Sequence, residues 1–205
     1  MIKSIRVAYI LLIITALATI VGCNSRSMDS PDSPAPAPVS GLSQKQKLRV
    51  NTAAVEKAIH EHINQERLRH DLPTIRWDDA LSRIARKHSK DMATRKYFSH
   101  TSPDGHDFSY RYQKSGYACG ITVEGVIRTG AENIARIPMN SLSLTDGEGL
   151  QQNRYVREKI ATSAVREWMT SPDERKNILS PTWQREGIGI SIGPDDMIII
   201  TLNFC

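Results

Sequence analysis

The segment SPDERKNIL, residues 171–179, sets a carboxylate, Glu174, three residues after a serine and two after a proline. Two kinds of chemistry suit that spacing. With Ser171 as N-cap and Pro172 at the first helical position, Glu174 would reach back to the N-cap amide and complete a capping box. Alternatively, Glu174 is an acid facing a cleft. A second candidate is His100 in YFSHTSPDG, where Ser, Thr, Pro, Asp and Gly crowd around an imidazole. A turn between helices holds such a ring on a scaffold yet leaves it open to solvent; the plainer alternative is a turn residue bonded to backbone. Ser99 and Thr101 flank it, but adjacency in sequence supplies no attack geometry, so neither is read as a nucleophile.

The other histidines suggest less. His60 and His62 stand two apart, so on a helix they point to different faces, and no HExxH pattern surrounds them. They read as solvated surface residues rather than metal ligands. His88 lies on an apolar stripe and reads as a satisfied core histidine.

The elements that would position these groups follow from periodicity. Val55, Ile59 and Ile63 recur at four-residue spacing in a first helix that ends before DLP. WDDAL starts a second, with Asp78 as N-cap and Leu81, Ile84, Ala85, His88 and Met92 on one face. HDFSYRYQKSGY predicts a shorter third helix with Phe108 and Tyr112 inward, and ITVEGVI an edge strand or extension. Residues 138–152 show no clean period and read as a surface insertion. A fourth helix is expected over residues 156–169. GIGISI and MIIITLNF, joined by GPDD, form a terminal hairpin. Helices first and a hairpin last, with no repeated βαβ unit, give an α+β class with helices packed on a small antiparallel sheet.

Ahead of this domain, Lys3 and Arg6 precede an uninterrupted apolar run over residues 7–21. The run is shorter than a spanning helix requires, which favours a cleaved leader. IVGC at residues 20–23 resembles the lipobox of bacterial lipoproteins, which makes residues 1–22 a lipoprotein-type signal peptide and Cys23 the lipidated residue. Residues 23–47, rich in Pro, Ser and Ala, form a disordered tether, and residues 48–205 the domain. The formal net charge of +5 is scattered and falls once the leader is discounted, so a nucleic-acid partner is not expected. Cys119 and Cys205 remain as an even pair in an exported chain and are expected to form a disulfide.

Taken in order, INQERLRHDLPTIRWDDALSRIARKHSKDMATRKYFSHTSPDG, GAENIA and WMTSPDERKNILSPTWQREGIGI resemble the secreted bacterial branch of the CAP superfamily, the SCP-like domains, over residues 55–205. The resemblance implies an α-β-α sandwich and a cleft of two histidines and two acids, which in many members holds a divalent metal. His100 matches the first histidine and Glu132 the acid of the GEN motif, with Asn133 fixing backbone beside it. The second histidine is expected six residues after a tryptophan; six after Trp168 stands Glu174. A metal set of His100, Glu132 and Glu174 would suit a harder, weakly bound divalent cation better than zinc. The resemblance leaves three function classes. The favoured one is a membrane-tethered extracytoplasmic binding or envelope-interaction module with a degenerate cleft, taking a lipid or envelope polymer. A weak metal-assisted, protease-like hydrolase using His100 as base and Glu132 as its orienter is the alternative; a surface protein with a vestigial cleft is the third. The chain is expected outside the cytoplasm, anchored as a lipoprotein or simply secreted.

Overall fold

The computed structural model describes residues 50–142 and 150–205. The leader, Cys23 and the tether lie outside them, as do residues 143–149 of the expected insertion.

Asn51 caps the first helix, α1 (Thr52–Arg69), by accepting the Ala54 N–H at 3.1 Å. After the short strand β1 (Arg76–Trp77), Asp78 accepts the N–H groups of Ala80 and Leu81 and starts α2 (Asp79–Arg95). Asp107 caps α3 (Phe108–Lys114) in the same way. ITVEGVI is a two-stranded hairpin of its own, β2 (Ile121–Val123) and β3 (Val126–Arg128), turning through Glu124 and Gly125 at positive φ. The strand β4 (Ala131–Pro138) follows, then a short 3-10 turn. The next helix, α4 (Leu150–Thr170), begins six residues before the expected start. The helix α5 (Pro172–Ile178) leads to β5 (Arg185–Ile192) and β6 (Met197–Phe204). The expected insertion over residues 138–152 thus narrows, since regular elements take both of its ends.

The main sheet runs β1-β5-β6-β4, with β4 at one edge. It is antiparallel except for β1, which pairs parallel with β5. Side chains of β6 alternate between its faces as the pleat demands. Ile198, Ile200, Leu202 and Phe204 join Ile59, Ile63, Ile160 and Trp168 in the larger core beneath α1, α4 and α5. Ile199 faces the other way and meets Met92, Ala93 and Ile134 under α2. Helices on both faces of the sheet make the α-β-α sandwich. On β5, Gly187 and Gly189 let α2 lie directly on the strand: a Cβ at either position would collide with the backbone at Leu81–Ser82 or Ala85–Arg86.

Cys119 and Cys205 are disulfide-bonded, with Cα atoms 5.6 Å apart and a sequence separation of 86. His60 and His62 are not solvated surface residues. His60 Nδ1 lies 2.6 Å from the fully buried carboxylate of Glu186, and His62 Nε2 lies 3.1 Å from Glu158. The i, i+2 spacing does split them, but each face it chooses carries an acid contributed by another element. Among the described residues no helix is long and apolar enough to cross a membrane.

Candidate functional site

The site is centred on Glu132, on the face of β4 turned toward α2. Its carboxylate is wholly buried, which would be costly without partners, and three side chains surround it. His100, on the loop after α2, donates from Nδ1 to Oε1 at 3.0 Å. Arg111, on α3, donates to Oε2 at 2.7 Å. The Nε2 of His88, on α2, stands 3.8 Å from Oε1 and donates to the Ser99 carbonyl at 3.1 Å. Arg111 also holds the carbonyls of His100 and His106, at 3.1 and 2.8 Å. One guanidinium therefore fixes both the acid and the loop that presents the histidine.

The two imidazoles titrate in opposite directions. The hydrogen bond to Glu132 raises the His100 pKa above its ordinary value; burial opposes this, and the Glu132 and Glu174 charges add to the rise. Desolvation dominates at His88 and lowers its pKa despite the Glu132 charge. Environments that push apart two like groups assign them different roles. His88 is the buried, neutral one, and His100, with half of its side chain exposed, is the one that presents a proton to solvent.

Glu174 does not complete a capping box. Ser171 makes no side-chain cap, and its N–H already donates to the carbonyls of Glu167 and Trp168 as the last turn of α4. With no orphan amide to reach for, Glu174 turns to the open edge of the sheet, where Oε1 accepts the outward N–H of Ile134 at 3.4 Å. Trp168 Nε1 donates to the Ile134 carbonyl at 3.0 Å, and Asn177 donates to the Glu132 carbonyl at 3.4 Å. Asn133, on the opposite face of β4 from Glu132, donates to the Glu174 carbonyl at 3.0 Å and accepts from Asn177 at 2.8 Å. These contacts cover the edge strand, which unpaired would invite association. They also bring Glu174 close enough to act electrostatically on both His100 and Glu167.

The set of His100, Glu132 and Glu174 does not fit a divalent cation. Both Glu132 oxygens and the His100 Nδ1 are committed to each other and to Arg111, whose positive charge already answers the acid. Among the described residues no three His, Cys, Asp or Glu side chains gather closely enough to hold a metal ion.

Sequence reasoning missed Arg111 entirely, because its partner stands 21 residues away on a strand that the sequence does not show. His88 is the satisfied core histidine that its place on the apolar stripe of α2 predicts, buried and bonded to the Ser99 carbonyl; only its nearness to Glu132 went unforeseen.

The arrangement of fold and site defines a class, and comparison with known proteins agrees. Residues 60–204 match the CAP family, the cysteine-rich secretory protein family. The protein YkwD of Bacillus subtilis (strain 168) is 31% identical over 139 residues, which are 68% of this chain and 43% of that protein. Among solved structures, an extracellular SCP-domain protein of Bacillus anthracis superposes with a TM-score of 0.53 at 27% identity, covering 74% of this chain and 40% of that one. An outer surface protein of Borrelia burgdorferi does so with a TM-score of 0.56 at 16% identity, covering 77% of this chain and 96% of that one. The chain thus spans less than half the length of YkwD and of the Bacillus anthracis protein, and nearly all of the Borrelia structure. This chain belongs to the CAP family.

Proposed function

We propose that the domain is an extracytoplasmic binding module, held at a membrane by a lipid on Cys23, that recognises an envelope polymer rich in hydroxyl groups. One observation carries the reading: the charge of Glu132 is answered inside the domain by His100 and Arg111, and half of the His100 side chain lies open to solvent. With Nδ1 committed to Glu132, Nε2 is free to donate when the ring is charged and to accept when it is neutral. Formal charges on His100, Glu132, Arg111 and Glu174 cancel once His100 is protonated. A site of paired donors and acceptors with no net charge suits sugar hydroxyls better than an ionic ligand. The likeness to an extracellular SCP-domain protein of Bacillus anthracis supports a place outside the cytoplasm.

Cosedimentation of the purified protein with insoluble cell-wall polymer tests this, with vesicles of neutral phospholipid as the second arm. The wall polymer should pull the protein down, and His100→Gln should weaken that by about tenfold, the loss of one hydrogen bond to a charged group. Sedimentation with vesicles alone would shift the ligand to lipid; sedimentation with neither would reject the module.

The Nδ1 contact to Glu132 also supports a second reading, a hydrolase in which His100 activates water while Glu132 orients it. Its mark would be release of soluble fragments from the polymer at a rate that rises with pH through the raised pKa of His100. No release over prolonged incubation would reject it.

A further inference from the structure

We infer that the polymer carries acidic groups and that a groove beside β4 is the subsite that reads them; this rests on the binding role proposed for His100. The groove, about 300 Å³, lies between the outer end of β4 and the exposed flank of α4. It is lined by Arg136, Ser141, Ser163, Arg166, Glu167 and Thr170 among others.

Continuity with His100 comes through Phe98. The Arg136 guanidinium sits over the ring of Phe98, 5.3 Å from its centroid, and Phe98 stands two residues before His100 and is 37% exposed. The charge of Glu174 also acts on both His100 and Glu167. Glu167 in turn feels Arg136. The Arg136 end of the groove thus adjoins the loop that carries His100.

The lining chemistry selects the ligand. Neither Arg136 nor Arg166 forms an ion pair within 4.0 Å among the described residues, and both are exposed. Two guanidinium forks beside the one Glu167 carboxylate leave a positive balance, and each matches the two oxygens of a carboxylate or phosphate. The hydroxyl of Thr170 donates to the Glu167 carbonyl at 2.8 Å and that of Ser141 to the Pro138 carbonyl at 2.6 Å. With their hydrogens so engaged, both hydroxyl oxygens keep lone pairs that can accept from sugar hydroxyls. Glu167 would repel the acid placed nearest to it, which sets the anion toward Arg166 and away from the His100 end. The ligand is an acidic glycan: a polyhydroxyl unit at His100 and a carboxylate or phosphate substituent further along, at the arginines.

The test is calorimetric titration of the protein with an oligosaccharide of uronic acids, with a neutral oligosaccharide of equal length, and with inorganic phosphate alone. The acidic oligosaccharide should bind at least about tenfold tighter than the neutral one and weaken as salt is raised. Arg166→Gln and Arg136→Gln should each remove most of that preference, whereas His100→Gln should weaken both oligosaccharides and leave the preference in place. Both arginines are exposed, so their variants should melt at the same temperature as the parent. Equal binding of the two oligosaccharides, with the arginine variants indifferent, would overturn the acidic subsite and leave the module standing. Phosphate binding as tightly as the acidic oligosaccharide would also overturn it, reducing the groove to a simple anion site. Binding of none of the three, together with no sedimentation on wall polymer, would overturn the module as well.

Discussion

His100 and His88 share one carboxylate, and their pH behaviour should expose the difference between them. The folded-state pKa of His100 lies above the ordinary value near 6.5. Its pairing with Glu132 therefore adds stability that is fully present below that ordinary pKa and is lost as pH rises through the raised one. His88 runs the other way: its folded pKa is lowered by burial, so protonating it disfavours the folded state as pH falls below about 6.5. Thermal melts of the parent and His100→Gln should differ more at about pH 6 than in alkaline solution, since the raised pKa is the one crossed as pH climbs; a constant gap would mean that the His100–Glu132 bond does not depend on charge. Glu174 supplies part of the rise at His100 through space. Glu174→Gln keeps an oxygen for the Ile134 N–H, so stability should change by less than about 1 kcal/mol. The His100 ring resonance should nonetheless titrate at lower pH in that variant, and an unchanged midpoint would remove Glu174 from the site.

At the scale of elements, the contact between α2 and β5 sets where His88 and the His100 loop fall. Gly189 lies under the backbone of Ala85 and Arg86 with no space for a side chain. Gly189→Ala should cost about 1 to 3 kcal/mol, read from denaturant midpoints, because the helix must lift from the sheet. A loss below about 0.5 kcal/mol, the range of an ordinary surface substitution, would mean that α2 shifts freely. Much of this layer was legible in the sequence. Asp78 followed by a 3.6-residue apolar stripe announced α2, and the alternation in GIGISI and MIIITLNF announced the hairpin. The strand β4 was not legible, since its buried positions include Glu132 and Asn133, which break the apolar alternation that marks a strand. For the same reason the site was only half visible. The motif resemblance located His100, Glu132 and Glu174, but whether Glu174 capped its own helix depended on the Ser171 N–H, already engaged by the end of α4. Such a fact belongs to the joint between two helices and to neither sequence alone.

For the whole molecule, the proposed function would make anchoring part of binding. A single polymer contact through the half-exposed His100 imidazole would be weak, and confinement at a surface raises the effective concentration of binding partners without any new contact. Cys23→Ala should therefore do two things in a host that lipidates exported cysteines. It should move the protein from the membrane fraction to the soluble exported fraction, and it should reduce the amount retained on the envelope even though the isolated domain binds the polymer as before. Membrane retention unchanged by Cys23→Ala would mean that the apolar run over residues 7–21 stays as the anchor. Release from the membrane with full retention on the polymer would mean that the site binds tightly enough on its own and that the tether serves delivery rather than affinity.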